Sequence, residues 1–495
     1  MLLSKTVKMA PLALAVMLAS QSLQAQQDVT ADAQALAEYQ ALETEQPAAI
    51  GQLPSLPELF VRALENDAEL SSQRFEVEAT REEISLARSQ LLPQVSATGG
   101  YLWQDSTNIQ TVEEIDRFGN TRRPGEIDEQ YWQLQLQQPL FSLERWRGMD
   151  VANAQVSAAE LQLAVVEQDL ALQVTEAYVQ AYLAAQRLGL LESQQESLDL
   201  QVRQASRAFD LGIGNRVDLL EAQSRLDQAI SDAVEAENEL DNALSELERL
   251  TGTLPAFRDV ATLGELANLE IKRDFGSQDT WLERTGQNLN VLLARREREI
   301  TEADTSTRRA GYYPEVNLNL SYSDRVSDDE LRESEDYRAS VEVSVPIYRG
   351  GYTNASVRQG ELRIKAGQAA VDNEQNLAVQ EVRTRLRSLN GGLRRLEALT
   401  QAIESSDLFL EAAVRGEQLG LRDLVDVLDA RASLYDQRIQ FVDVVGNYAL
   451  DRLALETAVG ELSSDDLADI MALLNSMSEQ GTRTGLTAKP NETAG

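Results

Sequence analysis

The chain carries one motif twice, and this duplication constrains its fold more than any other feature of the sequence. The stretch from Leu419 to Gln437 reads LGLRDLVDVLDARASLYDQ, and the stretch from Leu211 to Gln228 reads LGIGNRVDLLEAQSRLDQ. In each copy a glycine, which tolerates a positive φ angle, precedes apolar residues at helical spacing, so each copy predicts a turn that enters a helix. The residues shared at a constant spacing of 208 positions are Leu211, Gly212, Val217, Asp218, Leu220, Ala222 and Leu226, matched by Leu419, Gly420, Val425, Asp426, Leu428, Ala430 and Leu434.

Each copy also carries two carboxylates three positions apart. They are Asp218 and Glu221 in the first copy, and Asp426 and Asp429 in the second. Residues with this spacing share one face of a helix. Acids near a helix start are favoured by the helix dipole and usually form a solvated face, so spacing alone favours that ordinary interpretation. The duplication is what makes these acids candidates for a function.

The composition argues against catalysis and against a nucleic-acid partner. Acidic residues outnumber basic ones by 81 to 45, which would repel a polyanion and suits cations or a wet lumen. The sequence contains no His and no Cys, so the usual acid–base residue, the thiol nucleophile and nearly all zinc or haem ligands are missing. It also lacks the Gly-x-Ser-x-Gly and phosphate-binding glycine motifs. We therefore expect no enzyme activity, no cofactor and no metal site.

The N-terminus predicts export. Lys5 and Lys8 precede an apolar run over residues 10–19, and small residues follow up to a predicted cleavage site after Ala25. Residues 1–25 are therefore interpreted as a signal peptide. Beyond them no run of 18 apolar residues occurs, which argues against a transmembrane helix and leaves membrane-spanning strands possible.

Four short segments alternate between apolar and polar residues and predict β-strands. They cover residues 94–103, 131–138, 315–323 and 337–345. Pro93 precedes the first strand and Pro314 the third, a spacing of 221 positions that extends the internal repeat to the strands. Each strand has one apolar and one polar face, a pattern that fits strands between lipid and a wet interior.

Long helices flank the strands in both repeats. No proline interrupts residues 142–211, and apolar residues recur there at steps of three and four, which predicts a helix about 100 Å long. A partner helix is expected over residues 217–250, and the second repeat predicts helices over 350–418 and 424–459. An earlier helix is expected from Pro57 to about Leu92.

These segments divide the chain into five parts. A lead-in over residues 26–56 follows the signal peptide. The first structural repeat covers 57–280 and ends in a collar over 253–280, and the second covers 281–474 and ends in a C-terminal collar helix. Residues 475–495 are expected to be a disordered tail.

Four strands cannot close a sheet on themselves. In lipid, an open sheet edge leaves N–H and C=O groups unpaired at several kcal/mol each, so several copies would have to join. Three alternatives remain at this point: a soluble β-sandwich for the strands, a self-assembling periplasmic or envelope coiled-coil scaffold without transport activity, and a hydrolase built on carboxylates. The strand pairs at matching places in each half disfavour the scaffold, and no pattern of converging acids supports the hydrolase.

Several motifs resemble the TolC family of outer-membrane efflux proteins, over about Leu59 to Leu474. The motifs are Pro346-Ile347-Tyr348-Arg349-Gly350-Gly351, Phe141 with Trp146-Arg147, Leu240-Asp241-Asn242-Ala243 with Leu250-Thr251-Gly252, and Val425-Asp426-Val427-Leu428-Asp429-Ala430. The resemblance implies a mainly α fold with a transmembrane β-barrel. Three protomers of two internal repeats would form a 12-stranded barrel in the outer membrane and an α-barrel of long antiparallel helices across the periplasm.

The resemblance also implies a function and a set of partners. The protein would be the outer-membrane exit duct of a tripartite efflux or type I secretion system, with a periplasmic gate that its partners open. The implied partners are two further copies of the chain, outer-membrane lipid, a periplasmic adaptor protein and an inner-membrane pump of RND or ABC type.

Site residues follow from the resemblance position by position. Asp426 and Asp429 match the acids that ring the periplasmic entrance. Arg422 matches an arginine that holds the entrance closed, with Asp218 and Glu221 of the other repeat as its acidic counterparts. Glu417 departs from the family pattern, which has tyrosine there, so part of the closed-state contact differs in this chain. The turns implied to dock the adaptor are Leu211, Gly212 and Ile213, and Leu419, Gly420 and Leu421.

Overall fold

The computed structural model describes residues 54–105, 126–255, 257, 271–327 and 332–484. The predicted signal peptide, most of the predicted lead-in, half of the predicted collar over 253–280 and residues 485–495 of the predicted tail lie outside these described residues.

The two repeats contain the same order of elements. The first repeat consists of α1 (Leu56–Asn66), α2 (Ala68–Ser89), β1 (Gln94–Asp105), β2 (Glu126–Ser142), α3 (Leu143–Asp210) and α4 (Arg216–Thr251). The second consists of α5 (Gln278–Arg284), a 3₁₀ turn (Thr285–Gln287), α6 (Leu289–Ala310), β3 (Glu315–Ser327), β4 (Ser334–Ser344), α7 (Tyr352–Gln418) and α8 (Leu424–Ala458). A last helix, α9, spans Ser464–Thr484.

The helix expected from Pro57 to about Leu92 is two helices instead of one. Asp67 separates α1 from α2 and has an extended backbone, with φ −66° and ψ 124°. Its Oδ1 accepts a hydrogen bond from the Leu70 N–H at 2.7 Å, which satisfies one of the free amides at the start of α2. The acid therefore ends one helix and caps the next, a break that the apolar periodicity alone does not reveal.

The predicted disorder from residue 475 is wrong for the first ten residues of that segment. Helix α9 continues to Thr484, and its apolar side chains pack into the main core. The buried ones are Leu467, Ile470, Leu473, Leu474 and Met477. The Tyr182 hydroxyl on α3 also donates to the Leu474 carbonyl at 2.9 Å. Apolar residues at helical spacing thus anchor this helix.

The four strands form one antiparallel sheet in the order β1-β2-β3-β4. Its register aligns the apolar residues of neighbouring strands, since Val95 pairs with Leu136, Leu136 with Leu320, and Leu320 with Ala339. The polar residues align in the same way on the alternate positions, where Gln135 pairs with Ser321. The sheet therefore has one apolar and one polar face, as the alternation predicts.

The apolar face of the sheet is not covered by any other part of the described chain. Val95 is 64 % exposed and Val341 is 60 % exposed, and other large apolar side chains of this face are exposed as well. Near one end of the sheet, Trp132 and Tyr322 pack edge to face with ring centroids 4.8 Å apart. Contiguous exposed apolar surface of this kind indicates contact with lipid or with a partner.

Helix α3 is the longest element of the core and packs against α4, α6 and α8. Its buried positions are rich in alanine, which permits close approach of the neighbouring helices. Gly446 on α8 shows how close this approach is, because a Cβ there would overlap the Leu183 side chain on α3. Within the described ranges, none of the helices combines the length and the apolar content needed to cross a bilayer.

Gly460 follows α8 and packs closely against the 3₁₀ turn of the second repeat, and a substitution there tests this packing. Its φ is +73°, and a Cβ would overlap the backbone carbonyl oxygen of Gln287. We expect Gly460→Ala to lower the midpoint of thermal unfolding, because it adds a backbone clash to the roughly 1 kcal/mol or more of a left-handed alanine.

The matched control is Gly276→Ala, since Gly276 has a φ of +72° but no atom within 4 Å of its added Cβ. It should show the conformational penalty alone. Equal midpoints for the two variants would contradict the close packing at Gly460.

Candidate functional site

The two duplicated turns have the same backbone geometry. In the first, the Leu211 N–H bonds to the Arg207 carbonyl at 3.0 Å, and Gly212 has a φ of 72°. In the second, the Leu419 N–H bonds to the Arg415 carbonyl at 3.2 Å, and Gly420 has a φ of 66°. Glycine at these two positions permits the left-handed conformation that ends each long helix.

Both turns present apolar side chains to solvent. The exposed fractions are between 73 % and 81 % for Leu211, Ile213, Leu419 and Leu421. Single exposed apolar residues are common on proteins, but four at two equivalent turns are not explained by the fold itself. These turns are suited to contact another protein.

Each turn contains a second glycine, and its position differs between the two turns. In the first turn, Gly214 lies so close to Ala208 that an added Cβ would be 2.8 Å from the Ala208 Cβ. In the second turn the equivalent positions are Arg422 and Gly416, and here a Cβ on Gly416 would be 2.8 Å from the Arg422 Cγ. The same two positions approach closely in both turns, and a glycine stands at the second of them in the first turn and at the first of them in the second turn. Only the second turn therefore has room for an arginine.

Arg422 lies between an aromatic ring and an acid of its own repeat. Its guanidinium carbon is 5.7 Å from the centroid of the Phe409 ring on α7, within the range of a cation–π interaction. Its Nη1 is 3.5 Å from Asp426 Oδ2 on α8. No ion pair between Arg422 and Asp218 is present among the described residues, so the predicted closed-state contact between them stays a prediction.

The two predicted entrance acids lie on the first two turns of α8 with exposed side chains. The exposed fraction is 45 % for the Asp426 side chain and 59 % for that of Asp429. Asp429 Oδ1 accepts a hydrogen bond from Arg225 Nη2 on α4 at 2.6 Å, and Arg225 Nε contacts Glu221 Oε1 at 3.1 Å. Glu221 is thus part of the site and pairs with Arg225 in this chain, and its role beside Arg422 in the closed state stays a prediction.

Apolar contacts on both sides hold the start of α8 in place. Leu428 packs in a cluster with Leu198 of α3 and with Ala222 and Ala229 of α4. On the other side, Val427 and Ala430 pack with Ala413 of α7. The acids consequently project from a helix that is packed against both repeats, and any displacement of α8 would move them.

Sequence reasoning missed two residues of this region. The first is Arg225, for which the spacing of four from Glu221 was an available signal of a helical ion pair. The second is Arg431, two positions after Asp429, whose pKa is lowered by burial of its charged form. Arg431 Nε has no hydrogen-bond partner among the described residues. No pattern in the sequence distinguishes a half-buried arginine from an exposed one.

The chain is similar to outer-membrane proteins over most of its length. The profile of a family described as "Outer membrane efflux protein" matches residues 59–253 and 285–461. The chain is 29 % identical to the outer membrane protein TolC of Vibrio cholerae, with 86 % of this chain and 96 % of that protein covered. It is 26 % identical to the proteases secretion protein PrtF of Dickeya chrysanthemi, with 84 % and 90 % covered.

A solved structure shows the same fold. The crystal structure of the CmeC outer membrane channel of Campylobacter jejuni superposes with a TM-score of 0.69 at 16 % sequence identity, and the match covers 87 % of this chain and 94 % of that one. The arrangement of long helices and a four-stranded sheet is therefore an established fold.

A substitution at Gly416 tests whether the position of the Arg422 side chain requires a glycine there. Replacing a glycine inside a helix by alanine normally stabilises the protein by up to about 1 kcal/mol. We expect Gly416→Ala to lose this gain or to destabilise, because its Cβ would displace the Arg422 side chain from Phe409 and Asp426.

The control is Gly391→Ala on the same helix, where the added Cβ has no atom within 4 Å. That variant should gain stability. Unfolding in denaturant measures both, and equal gains for the two variants would show that the turn does not depend on the glycine.

Proposed function

Because this chain belongs to the outer membrane efflux protein family, we propose that it is the outer-membrane exit duct of an efflux or type I secretion system. The observation that carries the proposal is a four-stranded sheet with an exposed apolar face that continues directly into very long helices. Helix α3 begins at Leu143, one residue after β2 ends, and has 68 residues, a length of about 100 Å. Such an element can connect a bilayer to a distant partner.

The open edges of the sheet support a homotrimer. Strands β1 and β4 each pair on one side only, so their outer N–H and C=O groups have no partner strand among the described residues. Three copies placed edge to edge would give 12 strands and pair these groups, with the apolar face toward lipid and the polar face toward a lumen. The exposed apolar face disfavours the coiled-coil scaffold, which has no use for it.

The tips of the helices are the proposed periplasmic entrance. In a trimer, Asp426 and Asp429 from three chains place six carboxylates around the opening, where they attract cations and repel one another. Arg422 would reach Asp218 of a neighbouring chain in the closed state. The exposed turns at Gly212 and Gly420 would dock an adaptor protein that connects the duct to a pump of RND or ABC type.

The first test places a charge on either face of β4. Val341 and Ser340 are adjacent and lie on opposite faces of the sheet. We expect Val341→Arg to reduce the yield of trimer in the outer membrane, because arginine on the lipid side costs about 2–4 kcal/mol near the bilayer midplane. Ser340→Arg, on the polar face, should assemble normally. Equal yields of detergent-extracted trimer would contradict a lipid-facing apolar side.

The second test concerns the entrance. We expect Arg422→Ser to raise the conductance of trimers in planar lipid bilayers, because it removes the cation that contacts Asp426 and is proposed to bridge to Asp218. The control is Arg415→Ser, since Arg415 forms its ion pair with Glu411 on its own helix. A conductance like that of the unchanged protein would argue against a closing role for Arg422.

A further inference from the structure

Arg225 on α4 is the cation that connects the acids of the two repeats. Its Nε contacts Glu221 Oε1 at 3.1 Å, and its Nη2 donates to Asp429 Oδ1 at 2.6 Å. The planar guanidinium suits this arrangement, because its N–H groups point in fixed and different directions. One side chain thereby holds one carboxylate from each copy of the duplicated motif.

This contact joins two helices that are otherwise linked by few polar groups. In the part of the chain that the structure describes, Arg225 to Asp429 is the only ion pair between α4 and α8. Apolar packing of Leu428 against Ala222 accompanies it. The ion pair itself remains accessible to water, since the side chains of Arg225 and Asp429 are 39 % and 59 % exposed. It is therefore a contact that can break without unfolding the core.

The arginines of the two repeats are not equivalent to each other. At the spacing of 208 positions, Arg225 corresponds to Ser433, and Arg422 corresponds to Gly214. Arg422 pairs with Asp426 four positions further along the chain, whereas Arg225 pairs with Glu221 four positions before it and also crosses to the other repeat. The two copies of the motif therefore share their acids but differ in the position of the cation.

We propose that Arg225 is a positioning residue of the entrance, which ties α8 to α4 in the narrow state and neutralises Asp429 there. The inference rests on the proposed function as a duct. When α8 moves away from α4, the ion pair breaks and Asp429 faces the opening without its cation. The three copies of Asp429 in a trimer then repel one another, which favours the wide state, and they attract cations. Width and charge of the entrance consequently change together.

The experiment measures open probability and cation preference of purified trimers in planar lipid bilayers. The variants are Arg225→Gln, Asp429→Asn and the two combined. Three exposed ion pairs of ordinary strength correspond to a rise in open probability of about threefold or more when they are removed. Asp429→Asn and the combined variant should show the same rise, because each removes both the contact and the charge of Asp429. Arg225→Gln should show a rise at least as large, because it removes the contact and leaves the Asp429 carboxylates to repel one another.

The cation preference of the channel distinguishes the Arg225→Gln variant from the Asp429→Asn variant. Arg225→Gln leaves Asp429 charged, so the reversal potential in a salt gradient should shift toward greater cation preference. Asp429→Asn removes the charge and should shift it in the opposite direction. The control is Arg415→Gln, which removes an arginine from a Glu–Arg pair of the same spacing that lies within one helix. It should behave like the unchanged protein.

Two results would overturn the inference. One is an open probability of Arg225→Gln equal to that of Arg415→Gln, in channels that Arg422→Ser still opens. The other is an additive effect of Arg225→Gln and Asp429→Asn, which would mean that Arg225 acts without Asp429. Failure of the proposed function would look different, since no variant would then conduct ions.

Discussion

Backbone hydrogen bonding at the edges of the four-stranded sheet is the constraint on which the rest of this structure depends. The described part of a single chain leaves one edge of β1 and one edge of β4 unpaired. In hydrocarbon such groups cost several kcal/mol each, so the sheet is stable there only when neighbouring copies supply the missing strands. Because β2 continues into α3 at Leu143, the placement of the strands also sets the placement of the long helices.

Close packing between the long helices links the position of the sheet to the position of the turns at Gly212 and Gly420. Small side chains along α3 and the glycine at position 446 on α8 allow helices to approach one another closely. Closely packed interiors rearrange between discrete states and deform little within one state. The start of α8 is packed on one side by Leu428 and on the other by Val427, so the position of this helix sets the position of its two acids.

The two copies of the motif at the tips share their backbone and differ in their charged side chains. The backbone of the two turns is the same, including the left-handed glycines and the carbonyl contacts that end each helix. Their charges differ. In each turn two positions approach closely and one of them is glycine, which is Gly214 opposite Ala208 in the first turn and Gly416 opposite Arg422 in the second. Only the second solution leaves room for Arg422. The first repeat instead contributes Arg225, which reaches across to Asp429.

The sequence by itself determined the repeat, the order of the elements, the two-faced strands and the acids at the tips. These features follow from periodicity and from local turn chemistry, which are properties of neighbouring residues. The helix that continues to Thr484 was missed, because it depends on burial against distant residues. The break at Asp67 was missed although its cap is local, because the spacing of apolar residues continues across it. Only the tertiary structure decided which cation meets which acid. Arg225 and Asp429 lie far apart along the chain, and their contact depends on the rotation and the axial shift of α4 relative to α8, which no local pattern encodes.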